Sequence, residues 1–200
     1  MKKLIVVFIM LFALPAYAFE LDLQAGKSSY QSHMVKTDLS VKLSVSHQGV
    51  YVAGEREGFN LLGQDMAINS ISIGYKKYFD GLFVYAQGGY YKPDCDSSKF
   101  GWEGIYLEQS KEYNYPGLYI MPVSDHYRLE LKPSFGAEVG MGINQQIFNN
   151  VYLNMSVSYR YLRIWADYNG YDINDAPYWI MSRNDNFDAV KIYGGLQIKF

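Results

Sequence analysis

The chain has 200 residues with 18 basic and 20 acidic side chains, a formal net charge of −2, and a single cysteine, Cys95. So mild an acidity gives no electrostatic case for binding nucleic acid, and one cysteine cannot build an internal disulfide framework. Twenty tyrosines, 11 phenylalanines and 3 tryptophans stand against 6 prolines, yet past the amino terminus no stretch is apolar for the roughly eighteen residues that a transmembrane helix needs.

The amino terminus reads as an address. Met1-Lys2-Lys3 precedes an uncharged run from Leu4 to Leu14, followed by Pro15-Ala16-Tyr17-Ala18. A basic start, a short apolar core and an A-x-A ending are the parts of a secretory signal peptide. Residues 1–18 are therefore expected to be removed and residues 19–200 to form one domain. Losing Lys2 and Lys3 leaves 16 basic residues against 20 acidic ones, a formal charge of −4. Cys95 is far from the cleavage site and is not a lipoprotein anchor.

The mature chain alternates apolar and polar residues, the period of a β-strand. Phe19, Leu21, Leu23 and Ala25 set the apolar parity of a first strand. A polar run over 27–36 follows, then Leu39, Val41, Leu43 and Val45 mark a second. A short turn with Gly49 leads to a third strand from Val50 to about Glu55, and residues 56–66 read as a polar loop. The fourth strand, Ala67 to Phe79, reaches the tight turn signal Asp80-Gly81. The fifth runs from Leu82 to about Tyr91, with both parities apolar or aromatic. Residues 92–127, with Pro93, Pro116 and Pro122, form the longest connection.

The sixth strand alternates from Leu129 to Ile143, although Pro133 interrupts it at a position that suits a protruding or unpaired stretch better than a central ladder. The seventh spans Val151 to Tyr161, and residues 166–186 read as a further long polar loop. The eighth, Val190 to Phe200, places Val190, Ile192, Leu196, Ile198 and Phe200 on one face and Lys191, Tyr193, Gln197 and Lys199 on the other. Eight strands with alternately long and short connections match an antiparallel transmembrane β-barrel with short periplasmic turns and long extracellular loops.

A soluble eight-stranded barrel would carry the same alternation with its apolar side inward. The sizes of the side chains separate the two arrangements. The apolar parity is uniformly bulky, whereas the polar parity mixes Gly and Ser with a few long charged residues, as a narrow lumen requires. The polar parity is thus expected inside. It carries Glu20, Asp22, Asp38, Glu130 and Glu138 against Lys42, Lys76, Lys132, Arg160 and Lys191, an equal balance that predicts an ion-pair network plugging the lumen. Phe19, Phe79, Phe148 and Phe200 gather at one end and Tyr90, Tyr159, Tyr161 and Trp165 at the other, as two interfacial girdles would.

The signal sequence, the eight strands and the terminal Gly194-Gly195-Leu196-Gln197-Ile198-Lys199-Phe200 resemble the small outer-membrane barrels of the OmpA and OmpX type. That resemblance implies residence in the bacterial outer membrane among its lipids and lipopolysaccharide. It also implies that Leu196, Ile198 and Phe200 form the signal read by the barrel assembly machinery. No peptidoglycan-binding domain is expected after the barrel, unlike full-length OmpA.

Catalytic chemistry finds little support in the residues. Ser124, His126 and Glu130 are the best hydrolase set, relevant because barrels of this size include lipid A deacylases and acyltransferases, but nothing in their spacing places hydroxyl against imidazole. His33 and His47 are scattered. Asp94, Cys95 and Asp96 lack the further ligands of a metal site, and Asp172, Asn174 and Asp175 lack the Gly and Glu of a calcium loop. No enzyme activity, cofactor or metal is expected. The extended connections instead offer aromatic contact surface, through Trp102, Tyr106, Tyr113 and Tyr115 in 92–127 and Tyr178 and Trp179 in 166–186. A surface-interaction, adhesin-like role toward a host or surface partner is the leading expectation, with a lipid-modifying enzyme or a narrow channel as alternatives.

Overall fold

A computed structural model of the chain describes residues 19–30, 35–61, 64–94, 99–100, 126–171 and 177–200. Its strands are β1 (Phe19–Tyr30), β2 (Val35–His47), β3 (Val50–Leu61), β4 (Gln64–Phe79), β5 (Leu82–Asp94), β6 (Lys99–Phe100), β7 (His126–Leu131), β8 (Ser134–Phe148), β9 (Val151–Tyr171), β10 (Pro177–Asn186) and β11 (Ala189–Lys199). The eight strands β1 to β5, β8, β9 and β11 pair in that order, and β11 returns to β1, so the sheet closes without a free edge. At the closing seam Leu21 lies opposite Ile198 and Leu23 opposite Leu196.

Turn chemistry fixes the register at the periplasmic end. Gln48 and Gly49 have φ of 49° and 86°, and Asp80 and Gly81 have 47° and 86°; two successive left-handed residues make the type I′ turn that suits strand twist. Glycine at 49 serves a second need, since a Cβ there would lie 2.6 Å from the Lys76 carbonyl oxygen.

Parity then assigns the faces. Ile71, Val139 and Ile192 are 69%, 58% and 61% exposed, while Asp22, Lys42 and Arg160 are 3%, 5% and 0% exposed. Apolar outside and charged inside is the inverse of a soluble barrel, and only hydrocarbon satisfies such an exterior. Phe79, Phe148 and Phe200 project outward at the periplasmic end and Tyr90, Tyr159, Tyr161 and Trp165 at the other.

Three expectations are corrected. Residues 27–36 and 56–66 are mostly strand: β1 continues to Tyr30, β2 begins at Val35, β3 runs to Leu61 and β4 starts at Gln64. These strands rise past the lipid, where an outward polar residue meets water and no longer signals a loop. The single strand expected over 129–143 breaks at Lys132 and Pro133, so that β7 leaves the barrel and pairs instead with the upper half of β9. Finally, the two long connections contain β6, β7 and β10, which join β9 in a sheet standing above the barrel.

Candidate functional site

The described residues place their buried charges in the lumen, in layers. At the periplasmic floor Glu20 gathers four strands: it accepts hydrogen bonds from Ser46 Oγ (2.9 Å), Tyr78 Oη (2.8 Å) and Gln197 Nε2 (2.8 Å), and Lys199 Nζ lies 3.3 Å away. One rung higher, Asp22 Oδ2 holds Lys76 Nζ at 3.1 Å and Asn154 Nδ2 at 2.8 Å. Between this pair and the rings of Tyr51 and Tyr85 lies a cavity of about 10 Å³, room for about one water and no more.

Aromatic side chains fill the lumen around these pairs. On β5 the inward residues Phe83, Tyr85 and Tyr91 are buried, which is why that strand's alternation is blurred in sequence: both of its faces are apolar. Glycines opposite make the space. A Cβ at Gly140 would lie 2.6 Å from the Tyr85 ring and one at Gly142 would lie 2.4 Å from Phe83.

The middle layer is the most densely charged. Lys191 Nζ reaches Glu55 Oε1 at 2.5 Å, Glu138 Oε2 at 3.3 Å and Glu57 Oε2 at 3.7 Å. Glu138 also accepts from Tyr85 Oη at 2.7 Å and Gln87 Nε2 at 3.1 Å, with Lys42 Nζ 3.9 Å away. Arg160 pairs with Glu57 through both terminal nitrogens, donates to the Phe187 carbonyl at 3.2 Å, and lies over the rings of Tyr30 and Tyr91. Tyr30 donates to Glu57 as well, and Tyr193 donates to Glu55 at 2.5 Å. Buried charge is costly unless paired, and in the lumen Asp22, Glu55, Glu57 and Glu138 face Lys42, Lys76, Arg160 and Lys191, four of each sign, while a fifth buried acid, Asp188, accepts from the Leu162 amide at 2.8 Å.

Above the charges the interior turns apolar. Phe59, Met66, Ile68, Tyr91, Leu162 and Ile164 are buried, and Tyr30, Phe59 and Phe187 pack ring on ring at centroid separations of 5.8 to 6.2 Å.

Of the ten residues expected in a lumen network, Asp22, Lys42, Lys76, Glu138, Arg160 and Lys191 are buried and paired there, and Glu20 forms the floor. Asp38, Glu130 and Lys132 do not join them. Asp38 is exposed because β2 carries one extra residue between Thr37 and Ser40 against β3, a bulge that reverses side-chain parity; its carboxylate accepts from the Leu39 amide. Glu130 is exposed on β7, and Lys132 pairs with Asp167 at 2.5 Å outside the barrel wall. Glu55 and Glu57 take the vacated acidic places. The signal for Glu55 was in the register: a two-residue turn at 48–49 sets Lys42 directly opposite it.

Leu196, Ile198 and Phe200 face outward on and just past β11, and the Phe200 amide donates to the Phe19 carbonyl at 2.8 Å. Trp102, Tyr106, Tyr113 and Tyr115 lie outside the described residues, as do Ser124, Cys95 and the 172–175 acidic set; Tyr178 and Trp179 lie on β10. Among the described residues no group of three or more His, Cys, Asp or Glu could hold a metal ion.

No family model matches the sequence, and none of the curated proteins compared with it does. Solved structures match the fold. The outer membrane protein OprG from Pseudomonas aeruginosa superposes with a TM-score of 0.51 over 92% of this chain and 96% of its own, at 13% identity. The outer membrane protein AlkL, solved in DMPC lipid bilayers, gives 0.50 over 94% and 93%, also at 13% identity. The chain has the fold of the small eight-stranded outer-membrane barrels, and its lipid-facing exterior makes it an integral barrel of that membrane.

Proposed function

We propose that the protein is a closed outer-membrane barrel that acts at the cell surface, with the lumen as a stabilising plug and the extracellular segments as the contact surface. The observation that carries this reading is the complete burial of Arg160 and Lys191, each 0% exposed, within a charge-balanced layer that reaches seven of the eight barrel strands. A single sealed layer is enough to stop a hydrated solute, whatever lies above or below it. Function then falls to the surface-facing segments, where residues 92–127 and 166–186 bring Trp102, Tyr106, Tyr113, Tyr115, Tyr178 and Trp179, side chains suited to protein or glycan contact. Assembly machinery that reads the terminal strand is the other partner, through Leu196, Ile198 and Phe200.

Deleting residues 95–120 should abolish adherence of expressing cells to a host-cell or matrix surface while the barrel still inserts and shows heat-modifiable migration. Unchanged adherence would sink the surface role. Stepwise conductance of the intact protein in planar bilayers would overturn the sealed lumen, and altered lipid A in overproducing cells would favour an enzyme instead.

A further inference from the structure

The barrel exterior is not uniformly bulky. Across β3, β4, β5 and β8 its lipid face sinks into a groove of about 410 Å³, lined by Val52, Ile71, Ile73, Gly88, Tyr90 and Phe135. Two outward glycines lie in this part of the wall, and the protein has no internal use for either. A Cβ at Gly54 would meet nothing within 4 Å, and one at Gly88 nothing nearer than 4.0 Å. Neither has a positive φ. Glycine within a strand weakens it, and the inward glycines each answer to a ring or backbone neighbour. Gly88 lines the groove and Gly54 stands opposite Ile71 at its edge, so both keep the wall low there. Phe135, 81% exposed, and Tyr90 stand edge to face at 5.5 Å and form one wall of the groove.

Directly above, toward the extracellular side, the same strands end their apolar face in a polar cluster. Register sets Arg56 opposite Asn69 and Asn69 opposite Lys92, so the three outward side chains are neighbours in one row across the tilted strands. Arg56 Nη1 donates to Asn69 Oδ1 at 3.0 Å and to Asp94 Oδ2 at 3.1 Å, with the Arg56 and Asp94 side chains 62% and 56% exposed. Counting back to the Phe79–Leu82 turn, Asn69 and Lys92 stand ten residues up their strands, about 25 Å for tilted strands and the full height of a lipid-facing band. Lys92 therefore lies at the outer-leaflet interface, and Arg56, lower on β3, reaches up to Asp94 through its long side chain.

We propose that this site docks a phosphorylated glycolipid of the outer leaflet, of the lipid A class, with one acyl chain in the groove over Gly54 and Gly88 and its phosphate on Arg56 and Lys92. An apolar groove with two cations beside it is complementary to an anionic lipid, and a guanidinium forks onto phosphate oxygens. Asp94 and Asn69 beside the cations provide acceptors for sugar hydroxyls, of which a glycolipid headgroup offers more than phosphatidylglycerol. The site rests on the outer-membrane placement and is independent of the adhesive role, since Arg56, Asn69, Lys92 and Asp94 lie on β3, β4 and β5, outside the segment 95–120 whose deletion tests that role.

The test is native mass spectrometry of the full-length barrel in detergent, offered diphosphoryl lipid A, its dephosphorylated form, or phosphatidylglycerol. The intact protein should retain diphosphoryl lipid A preferentially. Gly88→Leu should lower the bound fraction about tenfold by filling the groove, and Arg56→Gln with Lys92→Gln should lower it about tenfold and erase the preference for the phosphorylated form, as loss of a charged contact does. Heat-modifiable migration of each variant shows that it has folded. Retention unchanged in both folded variants, equal retention of the dephosphorylated lipid by the intact protein, or retention of phosphatidylglycerol as strong as that of lipid A would each overturn the proposal.

Discussion

The lower two-thirds of the barrel and its upper third obey opposite rules. Around the Lys191 layer the outward residues are Val41, Val52, Val139 and Val157 and the inward ones are charged. A few rungs higher the outward residues are Asn60, Lys92 and Arg163, while Phe59, Met66, Ile68, Leu162 and Ile164 fill the interior. The chain is an inside-out protein where lipid surrounds it and an ordinary soluble barrel where water does. Polarity is thus set by the solvent outside each rung, and the place where the pattern reverses marks the membrane surface more directly than any loop boundary.

The sharpest way to break that contrast is to remove one charge from the middle layer. Arg160→Ala takes the guanidinium partner from the buried Glu57, leaving it only Tyr30 and the more distant Lys191, and should cost about 3–5 kcal/mol, read as a lower urea midpoint in lipid vesicles. Replacing both partners, Arg160→Met with Glu57→Leu, should recover more than half of that loss, because a buried pair exchanged for apolar side chains of similar size is often neutral. A double variant no more stable than the single one would show that this layer depends on charge itself, and not only on pairing.

The exterior gives the next effect. Val157→Arg puts a cation at mid-height on the lipid face, a change of about 2–4 kcal/mol at the bilayer midplane, whereas the same arginine at Asn60, above the reversal, should change folding stability by about 0–1 kcal/mol. Equal costs at the two heights would erase the boundary drawn here. Smaller again, Ile68→Val removes one methylene from the apolar upper interior and should cost about 0.5–1.5 kcal/mol in the same assay.

The sequence carried the fold because lipid-facing alternation is strict. Leu21 to Ala25, Leu39 to Val45 and Val190 to Phe200 name their outward residues without any structure. It carried less of the lumen. Alternation is a statement about two faces, so it fades on β5, where rings fill the inside, and it misleads above the membrane, where polar outward residues such as Arg56 and Asn60 read as loop and hid Glu57. Asp38 was misplaced by a bulge, which no polarity pattern reveals. Glu55, by contrast, was legible through hairpin register opposite Lys42, a geometric signal that polarity alone does not weigh. Glu130 and Lys132 carry the pattern of lumen residues because the alternation of a barrel strand continues through β7 after it leaves the barrel, and Pro133 marks the departure.

That departing segment supports the subtlest prediction. Lys132 hydrogen-bonds Asp167 at 2.5 Å, tying the start of β8 to β9 above the membrane, and Ser182 Oγ donates to the same carboxylate at 2.6 Å from β10. The bond from Lys132 holds the Asp167 carboxyl below its usual pKa and raises the lysine above its own. An acid whose folded pKa is depressed contributes stability above its unfolded pKa and loses it as pH falls through the folded value; a base whose pKa is raised contributes below its unfolded value and loses it as pH rises through the folded one. The pair therefore supports the extracellular sheet across the neutral range and gives way at both extremes. Amide exchange on β9 above Ala166 should quicken as pH falls below the usual aspartate range, after correction for the intrinsic rate, while the ladder from Val151 to Arg160 stays protected. Lys132→Gln should flatten that acid dependence without altering heat-modifiable migration, and because the pair is open to water the change should be small and shrink further with added salt. If the barrel and the upper sheet instead lost protection together, the two regions would be one cooperative unit, and the reversal of polarity between them would be a change of solvent without a change of stability.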